Sequence, residues 1–263
     1  MRTEQKLLLL AALVTLSQGC ATQLSIREDE EADASGATTV LRFQSNSIAP
    51  LALVEPEALE PGDILLSAEP TLVSAGIRLM TFAPVSHAAV YVGDGQVADA
   101  MRWGVRVREL NQFLEEAAVV LALRYPELTA EQAAGITEYA VAKSGVAFNF
   151  LGITLHVPFS IARRFCELPL VTPAIRDACI RGMGLLHQLA ASESRLFCSQ
   201  LVLQAYRHAG VLVTHADSRI ISPADILHMR EGDVSSVSVP RQLRYLGHLK
   251  HERRPTTTLA SLD

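Results

Sequence analysis

Three side chains of this sequence have the types and settings that nucleophilic catalysis requires. Cys198 lies at the start of a segment with helical spacing, where first-turn N–H groups favour a thiolate and can hold an oxyanion. His87 stands within the apolar run 85–92, and Asp99 follows the Gly-Asp-Gly turn at 93–95. A catalytic thiol needs a lowered pKa, a base within hydrogen-bonding reach and a group that orients the base. The three residues therefore predict acyl transfer by a Cys–His–Asp triad.

Each of the three also has a structural interpretation that the residues alone leave open. Cys198 could be an inert thiol in a core helix, His87 a core histidine bonded to the backbone, and Asp99 a solvated charge at a strand end. The turn favours the triad, because it folds the following strand back along 88–92 and brings Asp99 within a register step of His87.

Hydrophobic periodicity and breaking residues predict the elements that position these side chains. Strands are expected at 64–67, 85–92, 96–100, 104–108 and 119–124, and helices at 72–82, 111–116, 130–144 and 197–208, followed by the ordered segments 220–227 and 242–249. Thr129 and Gln132 have the spacing of a capping box at the start of the third helix. Several strands beside two strongly signalled helices predict an α+β fold, and not a doubly wound parallel sheet.

Composition argues against several other functions. The chain has 263 residues, of which 49% are hydrophobic and 19% charged, and this suits one domain with an export segment and flexible ends. The net charge of −5 and the lack of a basic patch argue against a nucleic-acid partner. Glycine-rich nucleotide motifs are missing and the histidines lack metal-ligand spacing, so neither a cofactor nor a metal is expected. Trp103, the single tryptophan, could line a substrate cleft or pack inside the domain, and packing is the favoured expectation.

The N-terminus has the features of an export signal. Arg2 and Lys6 precede the apolar run 7–16, which is too short to span a bilayer as a mature helix and indicates a cleaved segment. The residues before Cys20 resemble a lipobox, in which the cysteine is acylated and becomes the new N-terminus, although Ser17 stands where Leu is usual. An ordinary signal peptide with a chance cysteine is the alternative.

These features divide the chain into four parts. Residues 1–20 are predicted to be a lipoprotein signal peptide, 21–48 a flexible tether, 49–252 the folded domain and 253–263 a polar tail. Ala21, and not Asp, follows the cysteine, and by resemblance to lipoprotein sorting in enterobacteria this favours the outer membrane.

The remaining cysteines suggest one disulfide. Cys166 and Cys179 lie thirteen positions apart, and an exported protein meets an oxidising compartment in which they could pair. Such a bridge closes a short loop and typically stabilises a protein by about 3 kcal/mol. Cys198 is then the odd thiol, which is the pattern expected of a reactive cysteine.

Several short runs occur in a defined order along the chain. They are Pro-Gly-Asp-Ile-Leu at 61–65, Ser-His-Ala-Ala-Val-Tyr-Val-Gly at 86–93, Ala-Asp-Ala at 98–100 and Phe-Cys-Ser-Gln-Leu-Val at 197–202. This order resembles the permuted papain-fold hydrolases of the NlpC-like superfamily, in which the His and the acid come first on the sheet and the Cys comes late on a helix. Runs at 221–226, 228–230, 232–234 and 245–250 are similar to the YaeF-type lipoproteins of Gram-negative bacteria, so the resemblance covers nearly the whole chain.

The resemblance implies a permuted papain-like α+β domain over 49–252, with an antiparallel sheet packed against helices. It implies Cys198 as nucleophile, His87 as base and Asp99 as the orienting residue, at a position where members often carry the longer Glu. The implied substrate is a cell-envelope amide such as a peptidoglycan peptide, met by a protein that acylated Cys20 anchors to the outer membrane, facing the periplasm.

Two other functions stay open at this point. Permuted members of the same fold act as acyltransferases and phospholipases, and the apolar stretches 153–159 and 168–171 would suit a lipid-facing cleft for a lipid or thioester acyl group. A non-catalytic envelope-binding module with a decayed site is the third possibility, although all three residue types of the triad are present.

Overall fold

The computed structural model describes residues 21–27, 38–44, 52–81, 83–148, 179, 196–233, 235 and 237–251. Strands β1 (Ala21–Arg27) and β2 (Thr38–Gln44) form a two-stranded antiparallel sheet of their own. Both lie in the segment predicted as a flexible tether, and the four-part division of the chain stays a prediction. The signal peptide and the polar tail from 253 lie outside the described residues.

The domain is built on a second, six-stranded antiparallel sheet. Its strands are β3 (Ile64–Ala68), β4 (His87–Gly93), β5 (Gln96–Met101), β6 (Gly104–Glu109), β7 (Val119–Arg124) and β8 (Arg244–His251), in the spatial order β6-β5-β4-β3-β7-β8. The helices are α1 (Leu72–Thr81), α2 (Leu110–Glu116), α3 (Ala130–Ala142), α4 (Cys198–His208) and α5 (Pro223–Leu227), with 3-10 turns at Pro56–Ala58 and Ser218–Ile220. The prediction of an α+β fold with an antiparallel sheet against helices is confirmed. None of the described helices is long and apolar enough to cross a membrane.

The sheet is covered on both faces, and this explains why its central strands are almost wholly apolar. All five residues of β3 are buried. Helices α3 and α4 pack on one face through residues such as Ile136 and Val202, which share a core with Leu66 and Val90. On the other face α2 contributes Phe113 to a second core. Because alternate residues of a strand point to opposite faces, both sets of side chains must be apolar here.

A tight hairpin joins β4 to β5 and fixes their register. The two central residues, Asp94 and Gly95, have φ of 50° and 69°, as a two-residue turn of the mirror-image type requires, and Gly93 before them has φ of 97° at a shift in the strand register. The pairing that results places Asp99 directly opposite Ala89. His87, two residues before Ala89 on the same side of the strand, is therefore a diagonal neighbour of Asp99.

The start of α4 is tied to the β5–β6 hairpin through residues 146–148. The N–H of Val105 on β6 donates to the carbonyl of Val146 (2.8 Å), and the N–H of Leu196 donates to that of Ala147 (3.2 Å). This approach requires glycine at 104, since its φ is +106° and a Cβ there would lie 2.6 Å from the Val146 carbonyl oxygen. Helix α4 begins two residues after Leu196, so its first turn is held in place relative to the sheet.

Candidate active site

His87 and Asp99 meet inside the protein at one end of the sheet. The imidazole Nε2 lies 3.2 Å from Oδ2 of Asp99, and the two residues are 7% and 0% exposed. The shorter Asp thus reaches the ring at the position where relatives of the resembled family often carry Glu. A carboxylate at this distance can orient the ring and select its tautomer, as the acid of a triad does.

Cys198 reaches the same histidine from the helix side. It is the first residue of α4, it is buried, and it is a free thiol. The thiol lies within hydrogen-bonding reach of His87, and because Asp99 engages Nε2, the nitrogen left for the sulfur is Nδ1. Phe197 at the N-cap has an apolar side chain that provides no acceptor for the first-turn N–H groups. The structure therefore brings the three predicted residues together in the order Cys198, His87, Asp99.

Electrostatics at the site favour a charged imidazole. Burial alone lowers the pKa of His87, but the charge and hydrogen bond of Cys198 and of Asp99 outweigh it and raise that pKa to about 10. Burial of Asp99 acts to raise its own pKa, but the hydrogen bond and charge of His87, followed by the charges of Arg108 and Arg106, hold it well below its usual range. The arrangement stabilises a protonated imidazole beside the Asp99 carboxylate.

Two arginines that sequence reasoning did not assign to the site complete the surroundings of Asp99. Arg108 donates to Oδ2 from Nε (3.1 Å) and Nη2 (2.7 Å), and Arg106 donates to Oδ1 from Nε (3.1 Å). Both are on β6, and Arg106 stands directly opposite Asp99. The sequence carries a partial signal: two arginines alternate with valines on the strand after the one that carries Asp99, and opposite charges on neighbouring strands attract each other.

The other predicted residues have varied outcomes. Cys179 is disulfide-bonded, whereas Cys166 and Cys20 lie outside the described residues, so their pairing and acylation stay predictions.

Trp103 does not pack inside the domain. It is 78% exposed because it sits at the tip of the β5–β6 hairpin, where the guanidinium of Arg102 lies 4.8 Å from its ring.

Within the described parts of the chain, no group of three or more His, Cys, Asp and Glu side chains is placed to hold a metal ion. The apolar stretches 153–159 and 168–171, which would suit the lipid-facing cleft of the alternative function, lie outside the described residues.

A six-stranded antiparallel sheet with helices on both faces, with His and Asp early on the sheet and Cys late on a helix, is consistent with a papain-like α+β fold in the permuted order. The chain belongs to the family of the Escherichia coli K12 protein named "Probable lipoprotein peptidase YaeF". The two are 35% identical over 250 residues, which cover 93% of this chain and 89% of that relative.

One solved structure is also similar. It is the crystal structure of the metalloprotein yiiX (DUF1105) from Escherichia coli O157:H7, with a TM-score of 0.44 and 17% identity, covering 74% of this chain and 98% of that one. A scan against protein-family models found no match.

Proposed function

We propose that this protein is a thiol hydrolase that cleaves a cell-envelope amide, such as a peptidoglycan peptide bond, through an acyl-enzyme. The observation that carries the proposal is the buried, free Cys198 at the first turn of α4, in reach of an imidazole that Asp99 holds from its other side. The name of the relative, a probable lipoprotein peptidase, supports a peptide substrate.

The steps follow from the arrangement of the three groups. His87 takes the proton of Cys198, and the thiolate attacks the carbonyl carbon of the substrate. First-turn N–H groups of α4 hold the oxyanion. The imidazolium then gives its proton to the leaving amine as the C–N bond breaks, and an acyl-enzyme remains. Water, deprotonated by His87, releases the acid and restores the thiol, while Asp99 keeps the ring oriented throughout.

Alkylation of Cys198 across pH tests the thiol–imidazole pair without a known substrate. We expect iodoacetamide to label Cys198 of the purified full-length protein rapidly at pH 6, with the labelled peptide identified by mass spectrometry. His87→Ala should slow this by about a hundredfold or more, the scale of general-base catalysis. His228→Ala is the matched control, because it removes another His–Asp contact of similar length, 3.1 Å to Asp233. Equal labelling rates of wild type and His87→Ala would show that His87 does not act as the base for Cys198.

A substrate panel identifies the bond that is cleaved. Wild type and Cys198→Ala are each incubated with a peptidoglycan stem peptide, phospholipid vesicles and an acyl thioester. Cleavage of the peptide by wild type alone supports the proposal. Cleavage of lipid or thioester alone would replace it with an acyl hydrolase or acyltransferase. If no substrate is cleaved and Cys198 is also inert to alkylation, the chain is a non-catalytic binding module.

We further propose that the protein is held at the outer membrane, facing the periplasm, by fatty acyl chains on Cys20. The family of a named lipoprotein and the lipobox-like residues before Cys20 support this. Each buried CH₂ of an acyl chain contributes about 0.8 kcal/mol to membrane binding. Cys20→Ala should abolish incorporation of labelled palmitate and release the protein from the membrane pellet. Unchanged fractionation would contradict the anchor, and a density gradient separates the inner from the outer membrane.

A further inference from the structure

The carboxylate of Asp99 is bound by Arg108 as well as by His87. This arginine places two donors, Nε and Nη2, on the same Oδ2 oxygen that faces the histidine. We propose that Arg108 is a positioning residue of the active site, which locks Asp99 in the orientation and the charged state that His87 requires. This inference rests on the proposed function, and it adds a residue that neither the triad nor the named relative assigns.

Other contacts of Arg108 hold its guanidinium in position against Asp99. Its side chain is 5% exposed, and its third nitrogen, Nη1, donates to Oε2 of Glu116 at 2.5 Å. The guanidinium also lies 4.9 Å from the ring centre of buried Phe113, and that ring is 6.2 Å from the ring of His87. A planar donor group fixed at both ends and covered by an aromatic ring cannot rotate away from Asp99.

The titratable and charged groups of the described residues that surround Asp99 belong to one network. They are His87 on β4, Arg106 and Arg108 on β6, Glu116 on α2 and, beyond the imidazole, Cys198 on α4. Arg106 makes a single contact with Asp99, and its side chain is 32% exposed, so solvent weakens its effect. Of the two arginines, Arg108 is thus the stronger counter-charge, and it acts together with His87 to keep a fully buried carboxylate ionised.

Loss of Arg108 should therefore appear as a change in pH dependence and not only in stability. With one opposing charge removed, Asp99 takes up a proton at a higher pH. A protonated Asp99 no longer attracts the imidazolium, and the thiol loses its charged partner. The acid side of the Cys198 alkylation profile should move upward by about one to two pH units.

The chain offers a matched control at the opposite end of the sheet. Arg124 contacts buried Asp63 through Nε and Nη2, both at 2.7 Å, and its Nη1 contacts an exposed glutamate, Glu60. Asp63 lies just before Ile64, which pairs with Val90, whereas His87 pairs with Ser67 near the other end of the same strand. Arg124→Met therefore removes the same kind of buried ion pair without touching the site.

The experiment compares full-length wild type, Arg108→Met and Arg124→Met, each checked for folding by circular dichroism and alkylated with iodoacetamide from pH 4.5 to 9. We expect the upward shift of the acid limb in Arg108→Met alone, with partial recovery in Arg108→Lys. Glu116→Gln weakens the contacts of Glu116 with Nη1 of Arg108 (2.5 Å) and Nη2 of Arg106 (3.6 Å) but leaves both arginines bonded to Asp99, so it should shift the limb in the same direction by less. If Arg108→Met does not fold, the profiles of Glu116→Gln and Arg108→Lys test the positioning role of Arg108.

The two possible failures are distinguishable. If the reactivity of wild-type Cys198 does not depend on His87, the proposed function fails and this inference fails with it. If the His87 dependence is present but the profiles of the Arg108 and Glu116 variants coincide with that of Arg124→Met, Arg108 is only structural and the inference alone is overturned.

Discussion

Replacing Asp99 by Asn is a small change in shape that should have a large effect in this protein. In a site where the acid only orients a histidine, an amide can substitute without damage to the fold. Here Asp99 accepts three hydrogen bonds from Arg106 and Arg108 in addition to its contact with His87, and its side chain is fully buried. The variant would leave both guanidinium groups facing a neutral amide.

The size of the effect follows from these contacts. Removing one partner of a buried ion pair costs about 3–5 kcal/mol, because the remaining charge is left without compensation. Glu116 still contacts Nη1 of Arg108, so we expect Asp99→Asn to fall near the lower end of that range. The uncompensated arginines would also disfavour the imidazolium and lower the pKa of His87, which should slow alkylation of Cys198 at pH 6.

Urea unfolding of wild type and Asp99→Asn measures the first effect, and iodoacetamide labelling at pH 6 measures the second. Asp63→Asn is the control, since Asp63 is equally buried and accepts two hydrogen bonds from Arg124. It should lose a similar free energy of unfolding and keep the reactivity of Cys198. A change of less than about 1 kcal/mol in Asp99→Asn would refute the assignment of a strong buried network.

Three further predictions concern the pH dependence of stability, a glycine and the disulfide. Burial, together with the charges of His251 and Arg230, lowers the pKa of His248 from 6.5 to about 4. Between pH 4 and 6.5, His248 is therefore protonated in the unfolded chain but neutral in the folded protein. The free energy of unfolding should thus fall by about 2 kcal/mol as the pH is lowered from 6.5 to 4. Urea unfolding of His248→Gln should show a smaller decrease over the same pH range. Gly104→Ala should cost about 2 kcal/mol or more, measured by thermal unfolding, because of its positive φ and its contact with the Val146 carbonyl. Non-reduced digests should contain a linked Cys166–Cys179 peptide pair, and two alkylated free thiols would contradict it.

Much of the site could be anticipated from sequence because its first half is local. Asp94 and Gly95 tolerate the positive φ that a two-residue turn requires, so this pair favours a tight hairpin, and the hairpin alone brings Asp99 close to His87. The capping box of Thr129 and Gln132 was equally local, and it is present as predicted.

The parts that sequence did not yield depend on long-range contacts. Arg108 reaches Asp99 across a strand pair and Glu116 along the following helix, and no spacing rule selects those partners over solvent. Packing was favoured for Trp103, as for large aromatic side chains in general, but the turn at the hairpin tip leaves its ring outside. Contact of Cys198 with His87 likewise depends on how α4 docks on the sheet.

The separation of Cys198 from His87 along the chain has a consequence for how the protein matures. His87 and Asp99 are twelve positions apart, whereas Cys198 follows His87 by more than a hundred positions. Loop-closure entropy makes such distant contacts late to form, so we expect the sheet to be largely assembled while Cys198 is still accessible. In an oxidising compartment an accessible thiol can exchange with the disulfide of Cys179. Docking of α4, which leaves Cys198 only 3% exposed, would then be the step that protects the nucleophile from mispairing.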